Sequence, residues 1–270
     1  MTTNVRAHNR AVWDKQVEWD NDWTVPITSE EVAAARDGQL ALYLTPTIPV
    51  PRAWFPADLH GCDVLCLASG GGQQGPLMAA AGANVTVYDN SPRQLAQDRL
   101  VAARDGLEIT TVEGDMRDLA AFPDARFDLI LHPVSNCFVP DVLPVWREAY
   151  RVLRPGGALL SGFNNPTRYL FDYSTIDKQG VLQVKYKLPY DDTKLHTEAQ
   201  IRELLANGEA LEFSHTLDTL IGGQIAVGFV IAGFFEDTDR TGGWHDPLAD
   251  YMPLYIATRA VKGGCAGLEL

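Results

Sequence analysis

Leu65-Cys-Leu-Ala-Ser-Gly70-Gly-Gly-Gln-Gln-Gly75 decides the fold. The segment Asp63-Val-Leu-Cys-Leu-Ala68, apolar after its first residue, gives way at once to glycines, and a helix-forming stretch begins at Pro76. A short apolar run bounded by glycines reads as a strand buried on both faces. Glycine at the end of such a strand lets the backbone approach a ligand closely, and the next helix offers unpaired N–H groups in its first turn. Gly70, Gly72 and Gly75 also fit G-x-G-x-x-G, the spacing of dinucleotide loops. About 20 residues beyond the loop, Asp89 ends a second apolar run, where a carboxylate accepts hydrogen bonds from ribose hydroxyls. Loop and acid together point to an adenosine-bearing ligand.

Outward from this point strands alternate with helices. Asn84–Tyr88, Glu108–Val112, Phe127–Leu131 and Ala158–Phe163 follow as strands, with helices at Pro76–Ala81, Pro92–Asp105 and Asp141–Leu153 between them. Ser91-Pro92 starts the second of these helices and Gly106 stops it; Arg154-Pro155-Gly156-Gly157 makes a turn after the third. Such alternation argues for a parallel sheet of βαβ units. Before the sheet, Val5–Trp19 forms an imperfectly amphipathic helix and Ser29 caps a short one that Gly38 ends. Prolines 46, 49, 51 and 56 then keep the chain extended or turning. After the fifth strand the rhythm breaks. Val181–Leu188 alternates as a half-exposed strand, Thr197–Ala206 is a small helix and Leu211–Phe213 a short strand. A helix capped by Ser214 or Thr216 runs to Val227, and Phe229–Phe235 with Pro253–Ala260 makes a closing pair at the sheet edge.

The 270 residues carry 35 Asp and Glu against 22 Lys and Arg, a net charge of −13, with 46% hydrophobic residues. Such a chain builds a large core without metal or disulfide support. Its charge repels phosphate backbones and anionic membranes, which excludes nucleic acid and membrane surfaces as partners. Cys62, Cys66, Cys137 and Cys265 form no C-x-x-C pair, so neither a disulfide framework nor a zinc site is indicated. Met1–Arg10 has no apolar run behind its basic residues, and Ile225–Phe235 is far shorter than the ~20 residues of a membrane span. These features predict a cytoplasmic protein.

Five motifs in order now stand at family-like spacing: Val64–Gly72, Asp89-Asn-Ser91, Glu113-Gly-Asp-Met116, Phe127–His132 and Leu153-Arg-Pro-Gly-Gly157. Together they resemble the class I S-adenosylmethionine-dependent methyltransferases, strongly over 61–163 and moderately over 214–262. The resemblance implies a Rossmann-like α/β fold, a mostly parallel seven-stranded sheet with an antiparallel last strand, helices on both faces and an N-terminal helical cap. It implies one domain over 1–270: the cap (1–60), a cofactor-binding half (61–163), an insertion over the acceptor site (164–213), then a helix and closing strands (214–270). S-adenosyl-L-methionine is the implied cofactor and S-adenosyl-L-homocysteine the product. Ala68, Ser69, Gly70, Gly72 and Gln74 of the loop, Asp89 and Asn90, Asp115 facing the adenine amino group and Met116 its ring are the implied binding residues. One departure stands out. The first motif usually carries an acid where Cys66 sits and a glycine at Ala68.

The fourth strand delivers His132, Ser135 and Asn136 to the ligand edge of the sheet, and the fifth delivers Asn164 and Asn165. His132, which also borders the cofactor, is the candidate base; Ser135, Asn136, Asn165 and Tyr169 are the candidate acceptor contacts, while His215 reads as a structural cap. Trp13, Trp19 and Trp23 crowd the N-terminus, and Trp13 is expected to touch the cofactor, where a ring attracts the positive sulfonium. The expected reaction is in-line methyl transfer to a small molecule, at nitrogen or oxygen in preference to carbon, by a monomer or homodimer. Two alternatives are a non-methylating reaction on the same ligand, such as a cyclisation, and NAD(P)-dependent redox chemistry suggested by the literal G-x-G-x-x-G.

Overall fold

The computed structural model describes residues 3–238 and 245–263; Cys265 lies outside the described residues. Seven strands form one sheet: β1 (Asp63–Leu67), β2 (Asn84–Asp89), β3 (Ile109–Glu113), β4 (Phe127–His132), β5 (Leu153–Asn164), β6 (Phe229–Asp237) and β7 (Tyr255–Lys262). Their spatial order is β3-β2-β1-β4-β5-β7-β6, parallel from β3 to β5, with β7 antiparallel to both of its neighbours. The expected mostly parallel sheet with an antiparallel last strand is what the chain builds.

The pleat of β1 explains why its sequence reads as continuous hydrophobe. Val64 and Cys66 point into one core with Met78, Val87 and Leu95, and Leu65 and Leu67 into another with Trp146, Ile130 and Phe163. Helices α1 (Val5–Glu18), α2 (Ser29–Arg36), α3 (Gln74–Ala80), α4 (Pro92–Asp105) and α5 (Leu143–Val152) are joined by three short helices from the insertion, α6 (Tyr173–Gln179), α7 (Asp192–Leu195) and α8 (Glu198–Asn207), and by α9 (Gly223–Ala226). Helices α2, α3 and α4 pack together over one face, while α5 and α9 pack over the other. Ser91 caps α4 by accepting the Gln94 amide and Gly106 closes it in the left-handed conformation, as the sequence predicts.

Two expected strands, Val181–Leu188 and Leu211–Phe213, depart from expectation. Val181–Leu188 makes only a single bridge, Phe171 to Val184, because no strand edge lies beside it; Val184 is left 63% exposed. Leu211–Phe213 likewise contributes one bridge, between Asp191 and Phe213. The helix expected up to Val227 does form: Thr216 caps it by accepting the Thr219 amide, and a wide π turn over Asp218–Gly222 runs directly into α9 before Gly228 ends it at φ +110.

Helix α1 joins the sheet half to the insertion. Arg10 pairs with Glu113 at 2.8 Å on one side, and Lys15 and Gln16 donate to the Leu205 and Gly208 carbonyls at 2.8 Å on the other. Between them the buried Asn9 amide donates to the carbonyls of Phe138 and Leu211 and accepts the Leu211 amide. A buried amide with all these bonds made fixes the helix in one register.

Candidate active site

At the carboxyl ends of β1, β2, β4 and β5 lies a cavity of about 900 Å³, covered by α1, by the segments at 22–28 and 41–46, and by Glu212 of the insertion. One wall is the glycine loop. Ala68 adopts φ +47 and donates its amide to Tyr88 O at 2.7 Å, which turns the chain out of β1. Gly70 donates its amide to Asp89 Oδ2 at 3.0 Å, and a side chain at Gly70 would drive into Gln94 and Asp89. Ser91 donates to Asp89 Oδ1 at 2.8 Å. Burial pushes the Asp89 carboxyl above its usual range; the Ser91, Gly70 and Asn90 amides oppose that shift and nearby Asp14 adds to it. A carboxylate has about four acceptor positions, so acceptor capacity remains for a ligand.

The rest of the cofactor set surrounds this wall. Ser69 donates to Gln74 Oε1 at 3.0 Å, and Asn90 exchanges two 3.0 Å bonds with Arg6 of α1. Burial raises the Asp115 carboxyl, but the Arg117 fork (Nη2 to Oδ2 2.6 Å, Nε to Oδ1 3.0 Å) outweighs it, and the group lies below the usual carboxylate range. Met116 follows on the wall, and Trp13 reaches in from α1 with its ring edge-on to Phe138 at 5.2 Å. Gly72 is absent from the wall. Its carbonyl accepts the Ile27 amide at 3.0 Å and a side chain there would run into Pro26 and the Gln97 carbonyl, because the loop folds back onto α4.

The opposite end of the cavity differs from the sequence expectation. Ser135 lines it, but His132, Asn136, Asn165 and Tyr169 stand behind the lining. His132 is fully buried, its Nδ1 donating to Leu67 O at 2.9 Å and its ring edge-on to Trp146. Asn136 is held through its carbonyl, which accepts His215 Nε2 at 3.0 Å; His215 is thus a structural contact, as expected. Asn165 caps the following turn by accepting the Thr167 amide and donates to Pro253 O. In their place the lining carries Asn164, Arg168, Glu212 and Tyr255. Arg168 lies between the Tyr173 and Tyr255 rings (5.4 and 5.5 Å), faces Asp246 at 3.6 Å and donates to Asn164 Oδ1 at 3.2 Å. Asn164 donates to the Tyr169 hydroxyl at 2.8 Å, and that hydroxyl donates to Glu212 Oε2 at 2.6 Å. Every bond in this chain points toward Glu212.

Residues 65–161 match the family model described as a methyltransferase domain. The chain is 52% identical over 256 residues to the uncharacterized methyltransferase YbaJ of Bacillus subtilis (strain 168), spanning 95% of this chain and 98% of that protein. The chain belongs to the class I S-adenosylmethionine-dependent methyltransferases. A methyltransferase structure from Mesorhizobium loti shares the fold at 21% identity and a TM-score of 0.59, covering 78% of this chain and 95% of that one. So does the [4+2]-cyclase SpnF, at 18% identity and 0.54, covering 76% of each chain.

The residues present fit the methyl donor of this methyltransferase family. Gly114 shows why: a Cβ there would overlap the Tyr88 hydroxyl, so bare backbone faces the cavity between Asp89 and Asp115. Among the described residues no helix is long and apolar enough to cross a membrane. Of the lining residues that sequence reading passes over, Glu212 has the clearest signal, a carboxylate set between Leu211 and Phe213. Arg6 and Arg168 have none, since each sits among ordinary helix or turn residues.

His132 now makes a prediction about stability rather than chemistry. Burial pushes its imidazole down to about 4, against the bond to Leu67. The unfolded chain takes up this proton near 6.5 and the folded chain only near 4, so stability is full above pH 6.5 and falls as pH drops between these values. In urea unfolding, His132→Gln is expected to lose about 2 kcal/mol less than the native chain between pH 7.5 and 5. Equal losses in both proteins contradict the buried neutral imidazole.

Proposed function

We propose that this methyltransferase carries out in-line transfer of a methyl group from S-adenosylmethionine to a nitrogen or oxygen of a small molecule. The observation that carries this reading is a single roofed cavity holding the glycine loop and its acids at one end and Glu212 with Arg168 at the other. When bound, S-adenosylmethionine supplies an activated methyl on a positive sulfonium. Asp89 accepts from the ribose hydroxyls, Asp115 and Met116 face the adenine, and Ser69, Gln74 and Asn90 complete the loop wall. Trp13 closes the roof against water, so that residues 1–60 act as a cap and 164–213 as the acceptor cover of one working unit in the cytoplasm.

At the acceptor end Glu212 is the base. Its Oε2 is taken by Tyr169, which leaves Oε1 for the cavity that the residue lines. There it receives the proton that a hydroxyl or amine nucleophile must lose, and releases it to solvent after the product departs. Ser135 and Asn164 line the same end and orient the acceptor, with Tyr169 acting through its bonds to Asn164 and Glu212. Alignment supplies much of the rate, since holding reactants near 3–3.5 Å is worth roughly 7–11 kcal/mol. The net charge of −13 favours a small metabolite over nucleic acid.

Titration calorimetry with S-adenosylhomocysteine is expected to give a micromolar or tighter Kd. A metabolite pool treated with methyl-labelled donor is expected to yield a small-molecule product heavier by one CH₂. No binding at millimolar ligand removes the cofactor reading. A product of unchanged mass replaces methyl transfer with a rearrangement, and label confined to protein or nucleic acid removes the small-molecule acceptor.

A further inference from the structure

Asp98 is a carboxyl that the proposed chemistry does not use, yet it is 0% exposed, and it sits on α4 directly behind the glycine loop. Its Oδ2 accepts the Gly71 amide at 3.2 Å across 27 positions of chain. Burial, with the nearby Asp89 charge, pushes its carboxyl up to about 8 while the Gly72 and Gly71 amides pull against that rise, so near neutral pH it is mostly protonated. Gly71 and Gly72 are the two loop residues with φ of +112 and +75, the conformations that swing the chain away from β1 and back to α3. A side chain at Gly75 would meet Asp98 Oδ1 at 3.1 Å, so the first turn of α3 is also fitted around this carboxyl. Behind it the Cys66 thiol is pushed upward, chiefly by burial and to a smaller extent by Asp98.

A carboxyl enclosed by protein persists where its oxygens meet donors; Oδ2 shares the Gly71 amide with Gln94 O at 3.1 Å, and Oδ1 has no hydrogen-bond partner. The loop amides beside it belong to consecutive glycines, which have a wide choice of conformations when unheld. We propose that Asp98 is a positioning residue for the cofactor loop: from α4 its side chain holds Gly71 and Gly72 in the shape that presents Gly70 and Asp89 to the donor. The role rests on the reading of the loop as an S-adenosylmethionine site. It makes loop geometry depend on two elements, β1 and α4, rather than on β1 alone.

Asp98→Asn keeps the volume and the acceptor that Gly71 meets, Asp98→Leu keeps the volume without that acceptor, and Asp98→Ala loses both. Losing an uncharged hydrogen bond corresponds to about 2–10-fold in affinity. Calorimetry with S-adenosylhomocysteine is therefore expected to show a Kd raised at least threefold in Asp98→Leu and Asp98→Ala and within twofold of native in Asp98→Asn. The melting temperature of unliganded Asp98→Leu is expected to stay within about 2 °C, because the loop amides regain water when released. If Asp98→Ala does not fold, Asp98→Leu decides. A Kd within twofold of the native value in Asp98→Leu overturns the inference, as does a large fall in its unliganded melting temperature with affinity preserved, which makes Asp98 a stability residue only. A native protein that fails to bind S-adenosylhomocysteine removes the cofactor reading, and this inference with it; native binding alongside an indifferent Asp98→Leu removes this inference alone.

Discussion

Asp89→Ala is expected to weaken S-adenosylhomocysteine binding by about 10²–10⁴-fold in calorimetry, the largest effect of any single change at the cofactor end. The carboxylate serves two masters. Its Oδ2 takes the Gly70 amide and its Oδ1 the Ser91 amide, so the loop and the N-terminus of α4 are both fastened to the end of β2. The positions left over accept the two ribose hydroxyls of the proposed ligand. Each hydrogen bond to a charged group is worth about 1.5–3 kcal/mol, and two lost to the ligand give about 3–6 kcal/mol. Asp89→Asn keeps the shape and one acceptor, and is expected to lose only about tenfold. The order Ala worse than Asn follows from the dual role. A Kd for Asp89→Ala within threefold of the native value means that the ribose lies elsewhere.

The sheet half was legible because each of its signals is local. Asp63–Leu67 must be a strand buried on both faces, since alternate side chains of a five-residue apolar run have two cores to fill. The glycine loop and Asp89 were legible for a related reason: a left-handed turn and an acid at a strand end are fixed by the chain on either side of them. Gly72 shows the limit of that reasoning. A spacing pattern marks three glycines alike, while the fold leaves only Gly70 on the cavity wall, turning Gly72 toward Ile27 and burying Gly75 in α3 against Val87. The acceptor end was poorly legible because its residues meet across long separations. Asn164 and Glu212 are joined only through Tyr169, and the candidates chosen by nearness to a strand end, His132 and Asn136, are drawn into the core by Leu67 O and by His215. Alternation failed for Val181–Leu188 for the same reason, since a strand needs a partner edge that local sequence does not encode.

Glu212→Gln is expected to lower kcat by about 10²–10⁴-fold toward whichever acceptor the labelled-donor screen yields, with S-adenosylhomocysteine affinity unchanged within twofold. The substitution is isosteric and still accepts from Tyr169, so the packing of the 208–213 stretch is kept and only the proton acceptor is lost. Burial raises the Glu212 carboxyl above its usual range and Asp192 adds to this, while the Tyr169 hydroxyl and the Arg168 guanidinium hold it down. Cys137, also near, has a thiol pushed up mainly by burial and partly by Glu212, and so is neutral at physiological pH. A base must be ionised to act. The rate is therefore expected to fall as pH drops through the folded pKa of Glu212, about tenfold per pH unit on the acid side, with the limb set above the range of an exposed glutamate. Tyr169→Phe removes the hydroxyl that holds Oε2 and takes with it a hydrogen bond that favours the ionised form. It is expected to move this limb to higher pH while sparing the plateau rate. Two results count against the base: a Glu212→Gln enzyme that keeps its kcat, or one that keeps the acid limb in its pH profile. If instead both variants raise only the KM for the acceptor, Glu212 binds the acceptor without taking its proton. The distinction is physical, since a carboxylate that merely orients a substrate contributes equally before and during methyl transfer, whereas a base contributes only as the new bond forms.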